Sequence, residues 1–222
     1  MSHSFREKVA DLLREKRFEE VAGLAGSDKR TLRTLYGLLY HDEPLVSWRT
    51  VTMLGRFAEV EPELVRPFLR RLYWSLCEES SVVGWGSAQA IGEMARRNPE
   101  LAKDVIRPIV HFLDDEELSA PANRNTVILC GSIWTIGELA DVEPEMTREM
   151  GQPLVPFLDD PDPQVRGLVA WVLGEIRWLA AADRLGGMLE DQGTASVYID
   201  EELVDGTVGD FAARALDRMK RK

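Results

Sequence analysis

The sequence predicts an all-α fold: a right-handed α-α superhelix of successive helix pairs, with a small β-hairpin near the C-terminus. Self-similarity is the first observation, because glycine recurs in the middle of four apolar segments, at Gly55, Gly92, Gly137 and Gly174. Repeats of about 40 residues are typical of two-helix units. Composition is the second observation, since 45% of the 222 residues are hydrophobic, which is enough to bury a core.

The first residues predict an N-terminal cap made of three short amphipathic helices. Apolar residues recur at helical spacing from Phe5, from Phe18 and from Leu32, and leave polar faces between them. The terminal unit of a solenoid needs such a polar outer face. The expected single domain, 1–222, has three parts: a helical cap in 1–43, four helix-pair repeats in 44–190, and a hairpin with a capping helix in 191–222.

The four glycine-centred segments predict the first helix of each repeat. Small or apolar residues surround each glycine on one helix face. A glycine inside a helix costs about 1 kcal/mol relative to alanine, so four glycines at one register need a compensating reason. We expect that reason to be a close approach of two helix axes at each glycine.

A second helix follows each of the first three and opens with a proline, which loses no helix hydrogen bond at that position. The expected spans of these second helices are 62–78, 99–112 and 144–157. Each contains another proline, at Pro67, Pro108 or Pro153, and an internal proline predicts a kink or a split.

The fourth repeat and the C-terminus depart from this pattern. Asp162 is the expected N-cap of the fourth first helix, and the helix that follows it, over 181–189, is short. Alternation of apolar residues around Val197 and Leu203 then predicts a small hairpin. After the hairpin, Thr207 with Asp210 predicts a capping box that starts the last helix.

The segment from Asp162 to Gly174 has the pattern D-P-x-V-R-x-x-[AV]-x-x-x-[LI]-G. The other first helices end in [LI]-G-[ER]-[FMLI]-A, and FLDD recurs at 112–115 and 157–160. On these motifs the chain resembles the HEAT-like repeats of the phycobilin-lyase type, over about residues 44–219. The resemblance implies the solenoid fold and no single function, because such repeats serve many purposes.

Catalytic motifs are absent from the sequence. Another HEAT-like family, deoxyhypusine hydroxylase, presents His-Glu pairs to a di-iron centre, but Gly167 and Leu168 stand at the corresponding positions here. The three histidines, His3, His41 and His111, lie far apart in sequence, and no phosphate-binding glycine loop or nucleophile with an identifiable base is present. We therefore expect a protein that is not an enzyme and that holds no metal or cofactor.

The charge balance excludes further classes of function. Against 27 basic residues stand 38 acidic ones, which gives a net charge of −11. Such a surface repels a phosphate backbone and an anionic membrane, so neither nucleic acid nor membrane is an expected partner. No apolar run is long enough to span a bilayer, and the first residues lack the apolar centre of a signal peptide, so we expect a cytoplasmic protein.

Two further sets of residues share a register in the repeats. Three glutamates directly follow the glycines: Glu93, Glu138 and Glu175. Four tryptophans fall into two columns: Trp48 with Trp85, and Trp134 with Trp171. We favour pairing of the glutamates with arginine or exposure to water over a metal site, and core packing of the tryptophans over an aromatic ligand box.

The second helices concentrate basic residues in this acidic chain. Alignment on their internal prolines places six basic side chains in shared columns: Arg66, Arg70, Lys103, Arg107, His111 and Arg148. The second helices line the concave face of HEAT-like folds, so these columns predict a groove for an acidic segment. Pairing with Glu63, Glu100 and Asp104 on a solvated face explains the columns equally well.

A long loop before the third repeat offers another candidate site. The connection from Phe112 to Gly137 is eight residues longer than the equivalent one after Phe157, and insertions in solenoids often bind ligands. It ends in Asn123, Arg124 and Asn125, at the start of a helix where backbone amides favour anions. Simple helix capping by one of the asparagines is the interpretation that we favour.

Taken together, these features predict a non-enzymatic scaffold for protein–protein interaction. It would bind an acidic segment of a partner protein through the concave face of its second helices. The alternative is an accessory or lyase-like subunit that holds a cofactor or a substrate protein.

Overall fold

The computed structural model describes residues 4–28, 30–77, 86–114 and 125–221. The chain divides into two compact units, unit 1 (Met1–Val105) and unit 2 (Ile106–Lys222), and the division falls within a helix. That a single domain covers residues 1–222 stays a prediction.

Unit 1 contains the predicted N-terminal cap and the first helix pairs. Its helices are α1 (Phe5–Arg14), α2 (Phe18–Ser27), α3 (Arg30–Leu38), α4 (Pro44–Val60), α5 (Pro62–Cys77), α6 (Ser87–Arg97) and α7 (Pro99–Val110), which continues into unit 2. The three cap helices are confirmed. In the core of the unit, α4 packs against α1, α5 and α6.

A buried arginine of α4 fixes the cap to the first repeat. Arg49 is 4% exposed, and its Nη1 donates hydrogen bonds to the carbonyl oxygens of Leu13, at 3.2 Å, and Arg14, at 2.5 Å. These carbonyls end α1 and have no partner within that helix. The cap is therefore joined to α4 by hydrogen bonds as well as by apolar packing.

Unit 2 contains the remaining repeats and the C-terminal elements. Its further elements are α8 (Thr126–Glu138), α9 (Pro144–Glu149), α10 (Gly151–Leu154), α11 (Pro163–Glu175), α12 (Ala182–Gly186), β1 (Thr194–Ile199), β2 (Glu202–Thr207) and α13 (Val208–Lys220). Three 3₁₀ turns lie at His111–Asp114, Val155–Asp159 and Leu179–Ala181. In the core of the unit, α11 packs against α8, β1 and α13.

The predicted close approach of helix axes at the repeat glycines fits the contacts at Gly174, whereas at Gly55 and Gly137 a neighbouring side chain fills the space over the glycine. A Cβ atom added at Gly55 would lie 2.4 Å from Cγ of Glu93, and one at Gly137 would lie 2.5 Å from the ring of Trp171. At Gly174 the obstacle is backbone, because a Cβ there would lie 2.6 Å from Cα of Ala215. The missing side chains therefore admit neighbouring groups that the cores require.

The internal prolines do not all split their helices. Helix α5 continues through Pro67 and α7 continues through Pro108, and both prolines are exposed. Proline has no N–H to donate to the carbonyl group four residues earlier, and on the solvent side of a helix water can reach that carbonyl, which lowers the energetic cost of the proline. The predicted split occurs in the third second helix, which breaks at Met150 into α9 and α10.

The tryptophan pair of unit 2 belongs to the core, as predicted. Trp134 is 2% exposed and Trp171 is 6% exposed. Nε1 of Trp134 donates to the carbonyl oxygen of Tyr198 at 2.9 Å, so its polar atom is satisfied inside the core. Trp48 is half-buried, whereas Trp85 lies outside the described residues.

The C-terminal elements also follow the prediction. Strands β1 and β2 form an antiparallel hairpin in which Val197 pairs with Val204. Gln164 of α11 exchanges two hydrogen bonds of 2.9 Å with the backbone of Ser196, which gives this short ribbon the support it needs. Thr207 and Asp210 form the predicted capping box at the start of α13.

The fourth repeat is shorter than expected. The carboxylate of Asp162 accepts a hydrogen bond of 2.9 Å from the backbone N–H of Gln164 and caps α11, as predicted. The following helix, expected over 181–189, is α12, which spans five residues. Strand β1 and α13 pack against α11.

Candidate interaction surface on the second helices

Helix α5 of unit 1 has an apolar side and a basic side. Val65 and Leu72 are fully buried, and the helix packs against α4 and α6. The exposed residues on the other side include Glu63 and Pro67 and the four that form what we call the basic face of α5: Arg66, Arg70, Arg71 and Trp74. The helix carries three arginines against one glutamate in a chain with a net charge of −11. Positive charge is therefore concentrated locally.

One arginine of the basic face is paired within the helix. Nη2 of Arg66 lies 2.8 Å from Oε1 of Glu63, and this hydrogen bond raises the pKa of Arg66 and lowers the pKa of Glu63. Both side chains are more than half exposed, at 51% and 77%, so water screens the pair and it contributes little to stability. A carboxylate from a partner can therefore replace Glu63 at small cost.

The other two arginines have different surroundings. Among the described residues, no acidic side chain forms an ion pair with Arg70, which is exposed. The guanidinium of Arg71 lies over the ring of Tyr36, at 4.5 Å from Cζ to the ring centroid. This contact holds Arg71 against α3, since a cation is attracted to the face of an aromatic ring.

Trp74 is the functional candidate that the sequence reasoning missed. It is 71% exposed, although an indole normally buries most of its surface. The signal was present in the sequence, because Trp74 lies four residues after Arg70 and eight after Arg66 and therefore on the same side of a helix. The columns aligned across the repeats did not include it.

The basic residues predicted for unit 2 are placed beside acid. Oε2 of Glu149, the last residue of α9, lies 3.6 Å from Nη2 of Arg107 and 3.6 Å from Nε2 of His111. Glu149 thus offsets the positive charge of Arg107 and lies beside the imidazole of His111. In unit 1, Lys103 pairs with Glu100, the pairing considered as the alternative to a groove.

Arg148 borders a small cavity of about 180 Å³ in unit 2. The cavity also contacts Asp141, Glu175 and Arg177. Burial raises the pKa of Glu175, and the nearby Arg218, whose Nη2 lies 2.5 Å from Oε2 of Glu175, opposes part of that shift. The cavity is lined by both signs of charge, so Arg148 does not continue a purely basic surface.

The candidate residues of the long loop fall into two groups. Asn125 is the N-cap of α8, and its side-chain oxygen accepts hydrogen bonds from the backbone N–H groups of Val127 and Ile128. The capping role that we favoured is therefore confirmed for Asn125. Asn123 and Arg124 lie outside the described residues.

Two glutamates of the column, Glu93 and Glu175, pair with arginine. Glu93 is 4% exposed, and its carboxylate accepts hydrogen bonds from Nε of Arg96 at 2.7 Å and from Nε of Arg97 at 2.6 Å. Burial lowers the pKa of Arg97, but its hydrogen bond to Glu93, the charge of Glu93 and its hydrogen bond to Glu59 together leave the pKa raised. Glu93 therefore anchors a buried ion-pair cluster.

The described residues contain neither a cluster of metal ligands nor a membrane-spanning helix. Within the described residues, no cluster of three or more His, Cys, Asp or Glu side chains could hold a metal ion. No helix in the described ranges has both the length and the apolar character needed to cross a bilayer.

The comparisons with known proteins concern the repeat and the fold. Residues 131–176, which contain most of α8 and all of α9, α10 and α11, match the family model described as a HEAT-like repeat. No curated protein matches the chain. The phycobilin-lyase subtype stays a prediction.

Solved structures of similar fold include two made by engineering. An engineered protein matches with 16% identity and a TM-score of 0.52, over 98% of this chain and 97% of its own. A designed armadillo repeat protein matches with 19% identity and a TM-score of 0.51, over 99% and 96% of the two chains. At these identities the likeness establishes the fold alone, an all-α repeat fold typical of protein-interaction scaffolds.

Proposed function

We propose that the protein is a non-enzymatic interaction module that binds an acidic segment of a partner protein through the basic residues of its second helices. The observation that carries this proposal is the basic face of α5. Two exposed arginines, Arg66 and Arg70, point to solvent on a helix that opposes them with one exposed glutamate, Glu63.

The chemistry of the guanidinium group favours a carboxylate ligand. Its planar fork of N–H donors matches the two oxygens of a carboxylate, and such charge-assisted hydrogen bonds are stronger than neutral ones. Solenoids bind partners over extended surfaces, so a linear segment is the ligand that suits several aligned side chains.

The test is a direct binding measurement with the full chain and a fluorescent glutamate-rich peptide. Charge reversal of Arg66 and Arg70 together should weaken binding at least tenfold, because two favourable contacts become repulsive. The matched control reverses Lys8 and Arg33, two exposed basic residues of unit 1 outside the second helices, and alters the net charge equally.

Two results would overturn the proposal. One is a peptide affinity that changes by the same factor in the double reversal and in the control, because the effect would then report net charge alone. The other is an affinity for the glutamate-rich peptide no higher than for its glutamine analogue.

A further inference from the structure

Three side chains on the basic face of α5 are evenly spaced along the helix. Arg66, Arg70 and Trp74 follow one another at intervals of four residues. With a rise of about 1.5 Å per residue, each interval advances about 6 Å along the axis and turns about 40° around it. The three side chains therefore form a line about 12 Å long that winds slowly around α5.

An extended peptide has nearly the same repeat distance. It advances about 3.3 Å per residue, and every second side chain points to the same side, so side chains of one side recur about every 6.6 Å. The mismatch with the helix is about 0.6 Å per step, which long arginine side chains absorb. Three alternate side chains of a five-residue segment can thus meet Arg66, Arg70 and Trp74 in order.

A helical ligand has a compatible rise, but the outer side of α5 lacks the apolar stripe that packing of two helices needs. Two helices pack when apolar stripes interdigitate along both of them. The outer side of α5 presents arginines at Arg66, Arg70 and Arg71, and Trp74 is its one exposed large apolar side chain within the described residues. The surface therefore favours an extended segment.

The last of the three side chains along α5, Trp74, differs chemically from Arg66 and Arg70. Trp74 is 71% exposed and offers a broad apolar ring next to two guanidinium groups. Tryptophan and arginine are the residues most enriched among the hot spots of protein interfaces. An apolar side chain placed on the indole would remove it from water, whereas a carboxylate there would gain no donor except the indole N–H.

We infer that α5 recognises an extended partner segment with two acidic residues and one bulky apolar residue at alternate positions, acidic-x-acidic-x-apolar in either chain direction. The carboxylates bind Arg66 and Arg70, and the apolar side chain covers Trp74. This inference rests on the proposed function and specifies the partner sequence that the surface selects.

The experiment compares three labelled peptides on the full chain by fluorescence anisotropy. The first carries glutamates at positions 1 and 3 and phenylalanine at position 5, the second replaces the phenylalanine by serine, and the third places the same residues at positions 1, 5 and 9. The wild-type protein should prefer the first peptide to each of the others about tenfold. Trp74→Ala should abolish the preference over the second peptide and leave the affinity for the second unchanged.

Leu179→Ala is the matched control, because Leu179 is 67% exposed and lies in unit 2. It should preserve the preference for phenylalanine, and thermal unfolding should confirm that both variants fold. A preference that survives Trp74→Ala overturns the inference, as does tighter binding of the third peptide, which would indicate a helical ligand. If the second peptide still binds and responds to charge reversal at Arg66 and Arg70, the proposed function stands even though this inference fails.

Discussion

Similar basic residues on the second helices have different acidic neighbours in the two units. In unit 1, α5 exposes Arg66 and Arg70 with Glu63 as their neighbour on the same helix. In unit 2, Glu149 lies 3.6 Å from both Arg107 and His111. A repeated column of charge therefore does not define a uniform surface, because neighbouring segments decide whether each member is offset.

The glycine positions of the two units differ in the same way. Over Gly55 in unit 1 lies the ion-paired side chain of Glu93, whereas Gly137 in unit 2 is covered by the ring of Trp171 and Gly174 by the backbone at Ala215. One sequence feature, a missing side chain, thus admits a charged cluster in one unit and apolar packing in the other. The two kinds of contact should respond differently to mutation.

The largest expected effect is at Glu93. Glu93→Ala removes the carboxylate that holds Arg96 and Arg97 and leaves their guanidinium groups without it, at the edge of the core. We expect the free energy of unfolding to fall by about 3 kcal/mol. Urea denaturation measures this change. Glu63→Ala, which removes an exposed partner of Arg66, should leave the denaturation midpoint nearly unchanged, and equal effects of the two variants would contradict the distinction between buried and exposed pairs.

A smaller loss is expected at Gly174. Gly174→Ala places Cβ against the backbone of Ala215, which cannot rotate away, so we expect the free energy of unfolding to fall by about 2 kcal/mol. The comparison with unit 1 is a double-mutant cycle at Gly55. In the Glu93→Ala background, Gly55→Ala should raise the free energy of unfolding by up to about 1 kcal/mol, because the obstructing side chain is gone and alanine favours the helix. A loss at Gly55 in that background would show that another group closes the space.

Each unit also contains a helix end at which glycine should be better than the native residue. Lys16 in unit 1 has φ of 56° and Arg177 in unit 2 has φ of 51°, both in the left-handed region. Lys16→Gly and Arg177→Gly should each raise the free energy of unfolding by about 1 kcal/mol or less, since glycine adopts this conformation without strain. Differential scanning calorimetry would detect the shift. A decrease at Arg177 alone would reveal a stabilising contact of its side chain in the cavity beside Arg148.

The smallest effects are expected in the pH dependence of stability within unit 2. Burial raises the pKa of Glu175, so the folded state holds this proton more tightly than the unfolded state and loses stability as pH rises through the raised pKa. Glu175→Gln should therefore gain stability relative to the wild type as pH rises above the ordinary pKa of a glutamate.

Asp191, in the same unit, should change stability with pH in the opposite direction. Hydrogen bonds from Arg166, at 2.9 and 3.1 Å, lower the pKa of Asp191, so its contribution is present above its ordinary pKa and is lost as pH falls. Asp191→Asn should lose stability relative to the wild type at pH 7 and approach it in acid. Urea denaturation at several pH values measures both differences, and curves of equal slope for the two variants would contradict these assignments.

Much of the fold could be predicted because its signals are local. The cap helices, the proline starts of the second helices, the capping box at Thr207 and the burial of Trp134 and Trp171 follow from helical spacing and from the chemistry of helix ends. Close approach at the glycines was predicted from the cost of glycine in a helix. Whether Pro67 kinks or splits its helix was left open by the sequence, because the cost of a proline depends on whether its side of the helix meets water.

The candidate site was predicted less completely. The arginines of α5 were found from their repeat register, whereas Trp74 was missed because it has no counterpart in the aligned columns. The position of Glu149 beside Arg107 and His111 was also missed, since it depends on how α9 packs near the end of α7 and the following 3₁₀ turn. Alignment of columns detects residues that repeat, and Trp74 departs from the repeat. Glu149 stands at the register of Glu63 and Asp104, but the alignment does not show which basic residues it approaches.

The sequence by itself determined the helix ends and the apolar faces, because these depend on residues within one or two helical turns. It also determined the repeat register and the net charge of −11, because both follow from the identities of the residues alone. The tertiary structure decided which charges remain exposed and which are buried or offset. Glu93 and Glu63 are both glutamates three residues before an arginine, yet one is buried over Gly55 and the other faces water. The physical reason is that desolvation and pairing depend on groups brought together from distant parts of the chain.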